Sequence, residues 1–115
     1  MSDITKRTFS FALRIIKLCQ VLNKQYVMET NVLAKQLLRS GTSIGANVEE
    51  AQAGQSRSDF VHKMAIALKE ARETNYWLRL LEASEILPKE KLTELLKESD
   101  EIKKIIGAII VSSKK

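Results

Sequence analysis

Carboxylates recur in spaced pairs along this chain, Glu70 with Glu73 and Glu82 with Glu85. Residues three apart share a helix face, and two such pairs on facing helices can hold Mg²⁺ for phosphate-ester chemistry. No helix breaker separates Glu73 from Glu82, so both pairs belong to one helix and cannot close on one ion. A metal-dependent hydrolase built on Glu50, Glu70 and Glu73 is therefore the least expected function. A ferritin-type di-iron centre needs two Glu-x-x-His motifs, and His62 is the only histidine. Cys19 has neither a histidine nor a second cysteine to activate it and reads as a core thiol. Gly41-Thr-Ser-Ile-Gly45 lacks the Lys-Ser/Thr that completes a phosphate loop. No nucleophile–base pair assembles, so the expectation is a protein that is not an enzyme and uses no cofactor and no metal.

Polar and basic side chains fall into stripes instead. Arg7, Arg14, Lys17 and Lys24 share one sector of the first predicted helix, within roughly 100° of one another, a spacing suited to tracking phosphates. On the second, Gln36, Ser40, Ser43, Asn47 and Glu50 stay within roughly 60° beside an apolar face. That stripe reads either as a ligand or RNA contact or as a hydrogen-bond network closed by Glu70 or Glu73. The network is preferred, because small Ser and Gly residues suit close helix packing. Trp77 with Ile66 and Leu80 forms a second apolar face on the third helix and is the candidate subunit interface.

These stripes require long helices to hold them. The chain has 115 residues, 44% hydrophobic and 29% charged, with four Gly and one Pro, too few turn formers for an all-β protein. Spacing predicts helices over about 5–24, 32–53, 58–84 and 88–112. Thr30 or Asn31 is expected to cap the second, Ser56 or Ser58 the third, and Pro88 to open the fourth. Gly41 and Gly45 fall inside the second helix, where they would admit a close neighbour. Short connections make this an all-α, antiparallel up-down-up-down four-helix bundle, one domain over residues 1–115. The first helix is apolar over roughly 220° of its circumference, more than a lone bundle buries.

The net charge is +5, and residues 1–35 hold six basic and two acidic groups, so the basic excess sits mostly on the first helix. With no membrane-length apolar run, no signal-peptide pattern over Met1 to Gln20 and one cysteine, a cytoplasmic protein without membrane contact is expected.

Leu33-x-x-Gln36-Leu-x-Arg39-Ser40-x-x-Ser43-Ile44-x-x-Asn47-Val-x-Glu50, then Arg57-Ser58-Asp59-Phe60 and Ala67-Leu-Lys-Glu-Ala-x-Glu73-Thr-x-Tyr76-Trp77-Leu78, form a longer pattern. It resembles the bacterial four-helix-bundle family named for 23S ribosomal RNA intervening-sequence proteins. The main signature positions are filled, with Val48 for the usual Ile, and Gly45, Glu49 and Ala51 where many members have Pro, Ala and Gly. The resemblance implies a homo-oligomer, typically a pentamer, with no assigned activity. The expected function is a non-enzymatic oligomer binding RNA, or an RNA-containing complex, through the basic surface of the first helix. The alternative is a scaffold for a protein partner with no nucleic-acid role.

Overall fold

A run of good helix formers without Gly or Pro, capped in charge by Asp3, makes the first helix, and each later helix is set off by a short polar or proline-containing break. The computed structural model describes residues 3–25 and 27–115. Its helices are α1 (Asp3–Asn23), α2 (Met28–Gln52), α3 (Arg57–Ser84) and α4 (Thr93–Ser113), with a 3₁₀ turn at Lys89–Lys91. They pack as a four-helix bundle of 46 × 20 × 19 Å, α2 against α1 and α3, and α4 against α3. Of the neighbouring helix pairs around the bundle, α1 and α4 meet least.

The core forms from one stripe of each helix. Phe11, Ile15 and Leu22 of α1 meet Leu37, Ile44 and Val48 of α2, Met64, Ala67 and Leu78 of α3, Leu92 just before α4, and Ile102 and Ile106 of α4, all buried. Full burial of one such large apolar side chain contributes about 1.5–3 kcal/mol. Gly41 and Gly45 lie within an unbroken α2, as expected, and face α1. A Cβ on Gly41 would stand 2.9 Å from Ile15 Cγ2, and one on Gly45 3.3 Å from the Thr8 carbonyl oxygen. In the same antiparallel contact, the Cys19 thiol donates to the Ala34 carbonyl at 3.2 Å. Burial pushes that thiol up to about 11, which leaves it un-ionised at neutral pH.

Two helix starts differ from expectation. α2 begins at Met28, behind an extended Val27 that makes no side-chain cap bond. Thr30 therefore lies inside the first turn, its hydroxyl donating to the Val27 carbonyl at 2.9 Å, and Asn31 follows it, so neither is the cap. Met28 and Glu29 favour helix, and the Glu29 charge suits the positive helix end. Tyr26, within the expected loop, lies outside the described residues. Pro88 precedes the 3₁₀ turn rather than opening α4, and α4 starts at Thr93. The tighter turn sets Leu87 and Leu92, both buried, on the core side. Ser56 caps α3 as anticipated, accepting from the Asp59 amide at 3.0 Å. α3 ends at Glu85, whose φ of 58° is left-handed.

Two substitutions test this packing by thermal melts followed through helical circular dichroism. Gly41→Ala is expected to lower stability by about 1–2 kcal/mol, overpacking against buried Ile15 outweighing the gain in helix propensity. Glu85→Gly is expected to raise it by about 1 kcal/mol, because glycine adopts the left-handed cap without a Cβ clash.

Candidate nucleic-acid interface and its supporting network

Antiparallel packing of α2 on α3 brings the polar stripe onto the α3 carboxylates. Arg39 pairs with Glu73 and, at 3.3 Å, with Glu70, and donates weakly to Gln36 Oε1 at 3.4 Å. Trp77 Nε1 donates to the same Glu73 carboxylate at 3.1 Å. At the next residue of each helix, the buried hydroxyls of Ser40 and Thr74 hydrogen-bond at 2.8 Å, and Thr74 also donates to the Glu70 carbonyl. An interhelix network thus forms at the Gln36 end of the stripe, but Glu70 and Glu73 close on Arg39 beside the stripe, and of the stripe itself only Ser40 bonds across to α3. The rest of the stripe stays local. Ser43 donates to the Arg39 carbonyl and Asn47 to the Ser43 carbonyl, bonds within α2 itself. Glu50 is exposed at the far end of α2, beside Asp59, His62 and Lys63. Among the described residues, no three of His, Cys, Asp and Glu converge to hold a metal ion.

The basic stripe of α1 divides into two parts. Arg7 is forked onto α4, with Nε 2.9 Å from Glu98 Oε2, Nη2 2.6 Å from Glu98 Oε1 and Nη2 2.9 Å from Glu101 Oε1. These bonds raise the guanidinium pKa above its ordinary value, and the bond from Arg7 holds Glu101 below the usual carboxylate value. Arg7 thus links α1 to α4. Arg14 and Lys17 remain outward-facing and are joined by Lys91 from the 3₁₀ turn around a pocket of about 240 Å³ floored by Leu18, Val21, Leu87 and Leu95. Lys24 is exposed beyond the end of α1. Lys91 was not part of the sequence-derived stripe. Nothing local marks it, because only the turn after Pro88 carries it to α1.

A second set of cations lies across α4 from this pocket. Arg72 and Arg79 of α3 face Lys103 and Lys104 of α4 over a groove of about 440 Å³. No linear charge count reveals it, since residues 36–87 hold six basic and seven acidic groups. The acidic groups of that segment point elsewhere, Glu70 and Glu73 towards Arg39.

Apolar residues also remain uncovered. Ile66 and Trp77 are half-buried and Leu80 is 38% exposed, with the Trp77 ring edge-on to Tyr76 at 5.1 Å. A ridge also runs along α1, where Phe9 (58% exposed), Leu13 and Ile16 stand outward, and Leu38 of α2 is exposed as well. Those α1 residues are the excess in the wide apolar arc. Among the described residues, no helix is long and apolar enough to cross a membrane.

An all-α bundle stapled by this α2–α3 polar network defines the structural class. The profile of the family described as 23S rRNA-intervening sequence protein matches residues 1–108. The chain belongs to that family. A solved structure of a protein of unknown function from the S23 ribosomal protein family of Bacteroides thetaiotaomicron superposes with a TM-score of 0.85 at 45% identity, covering 93% of this chain and 97% of that one. A comparison with curated proteins found no match. Neither family nor structural neighbour carries an enzymatic description.

Two measurements probe the network. Ser40→Ala and Thr74→Val are each expected to cost about 1–2 kcal/mol in urea unfolding, with the double variant losing less than the sum because the two hydroxyls share one bond. Glu101 has a folded pKa below its ordinary 4.5, so its contribution to stability is full above that value and is lost as pH falls through the depressed one. Glu101→Gln should therefore melt below wild type at neutral pH, and the two should converge as pH falls below the depressed value.

Proposed function

We propose that the protein is a non-enzymatic homo-oligomer whose surface between α1 and α4 binds RNA. The observation that carries this reading is the gathering of Arg14, Lys17 and Lys91 on one pocket rim with no ion pair to any of the three among the described residues. Cations left unpaired within reach of one another favour a polyanion, because each phosphate contact releases condensed counterions. The family's description by 23S ribosomal RNA supports RNA as the class of ligand. Arg7 is omitted from the contact set, since its guanidinium already holds two carboxylates. Lys24 extends the set along α1.

Assembly rests on a different surface. The ridge of Phe9, Leu13 and Ile16 and the face of Ile66, Trp77 and Leu80 offer two apolar areas for contacts between copies. The resemblance implies five copies. The same ridge also favours a second reading, a scaffold that presents these faces to another protein and ignores RNA. Both readings place the protein away from catalysis, with the α2–α3 carboxylates serving the fold.

Fluorescence anisotropy with structured RNA, single-stranded RNA and duplex DNA over a salt series separates the readings, with light scattering giving the mass in the same buffer. The expected outcome is an oligomer of the 13.0 kDa chain that binds RNA with steep salt dependence, and an Arg14→Glu/Lys17→Glu variant of unchanged mass that loses about tenfold or more in affinity at low salt. A well-formed oligomer that binds no RNA at low salt would leave the scaffold as the correct account.

A further inference from the structure

The groove between α3 and α4 is more elaborately built than the α1 surface. Arg72 and Arg79 lie seven residues apart on α3, about 10 Å along the helix axis, and Lys103 and Lys104 oppose them. Between the rows sits Asn75, only 2% exposed, with its whole side-chain amide engaged. Its Oδ1 accepts from Arg79 Nε at 3.0 Å and from Lys103 Nζ at 3.3 Å, while its Nδ2 donates to Ser99 Oγ at 3.1 Å and to Asp100 Oδ1 at 3.0 Å. A buried neutral amide thus orients two of the four cations without cancelling their charge. The Arg79 guanidinium also lies 5.7 Å from the centre of the Tyr76 ring, which fixes its plane and leaves its terminal nitrogens without an intramolecular partner among the described residues. Among the described residues the one carboxylate at the edge is Asp100, 3.7 Å from Lys103 Nζ, so four positive groups meet one negative.

Gly107 supplies an independent observation. It is internal to α4 and lines the groove, yet a Cβ there would meet nothing within 4 Å. Unlike Gly41 and Gly45, it admits no neighbouring element. A helix-interior glycine costs about 1 kcal/mol relative to alanine, and here that cost is repaid by no packing contact. A side chain placed there would stand beside the cations without striking the fold.

We propose that the α3–α4 groove is a second phosphate-binding site, one that takes the sugar–phosphate backbone of RNA in a run of at least two phosphates. The inference rests on the RNA reading above and adds a contact surface on the other side of α4. Four cations along the groove match successive phosphates, and Arg79, held at Nε, presents its terminal N–H groups in the fork that suits phosphate oxygens. Among the described residues no aromatic ring lines the groove itself, so binding there is to backbone and not to bases.

Gly107 makes the test clean, because a side chain enters the groove without striking the fold. Binding of a fluorescein-labelled single-stranded RNA of about 12 nucleotides is measured by anisotropy over a salt series for the full chain and for Gly107→Glu, Gly107→Gln and Arg14→Glu/Lys17→Glu, with inorganic polyphosphate as competitor. Gly107→Glu is expected to weaken RNA binding about tenfold or more at low salt and to reduce the salt slope by about one, whereas Gly107→Gln stays within about twofold of wild type. Both should keep wild-type helicity and mass, and polyphosphate should displace RNA from the wild-type protein. Wild-type affinity in Gly107→Glu overturns the proposal, as does equal weakening by Gly107→Gln or a failure of polyphosphate to compete. If Arg14→Glu/Lys17→Glu alone loses binding, the α1–α4 surface stands and this groove falls. If Gly107→Glu alone loses it, the groove stands and the α1–α4 surface falls. No RNA binding by any form removes both.

Discussion

The closeness of α1 to α2 governs much of the rest of the molecule. With Gly41 and Gly45 presenting bare backbone, Ile15 and the Thr8 carbonyl seat against α2 at distances that a Cβ on either glycine would crowd. α1 is thereby committed to α2 along one side of its broad apolar arc. Phe9, Leu13 and Ile16, on the far side of that contact, are left outside. The opposite flank meets α4 only sparsely and is joined to it by the Arg7 fork onto Glu98 and Glu101. Because that fork is polar and partly exposed, it contributes little to stability compared with the buried core, and it acts chiefly to fix the position of α4 relative to α1. The pocket rimmed by Arg14, Lys17 and Lys91 opens further along the same seam.

Two buried polar centres set the register of the other helices. The Ser40 and Thr74 hydroxyls tie α2 to α3, and Asn75 ties α3 to Ser99 and Asp100 of α4. They are adjacent in sequence at Thr74 and Asn75, so one turn of α3 faces both neighbours. Apolar contacts alone tolerate small slips between helices, whereas a slip here would leave buried donors and acceptors unpaired at about 1–3 kcal/mol each. The charged groups outside these centres then fall on opposite sides. Arg39 closes on Glu70 and Glu73 over the Ser40 contact, while Arg79 and Lys103 are drawn to Asn75 with only Asp100 to balance them.

Much of this was legible in the residues. The four helices, the continuous α2 across two glycines and an α3 cap at one of two neighbouring serines follow from spacing and propensity, whereas the closing of Glu70 and Glu73 on Arg39 rather than on the Gln36–Glu50 stripe does not. The misplaced details concern chain ends of helices. Thr30 and Asn31 looked like caps by type, yet Met28 and Glu29 carry the helix back past them, and Pro88 yields to a 3₁₀ turn because Leu87 and Leu92 both seek the core. Local preference among neighbouring candidates is worth about 1 kcal/mol or less, and burial decides between them. The Arg7 partner was hidden for another reason. Glu98 and Glu101 lie more than ninety residues away, and no periodicity within either helix records the other.

Periodicity and composition by themselves determined the class of fold, which side of each helix is apolar, and that α1 has more apolar surface than one bundle consumes. These are properties of single helices, and a helix's faces are set by its own spacing of 3.6 residues per turn. Which cations stand together was decided only by the tertiary structure. The basic stripe of α1 lost Arg7 to α4 and gained Lys91 from a turn, and the four cations of the α3–α4 groove come from segments whose net charge is close to balanced. Electrostatic fields depend on distances in space, and those were settled by helix packing rather than by order along the chain.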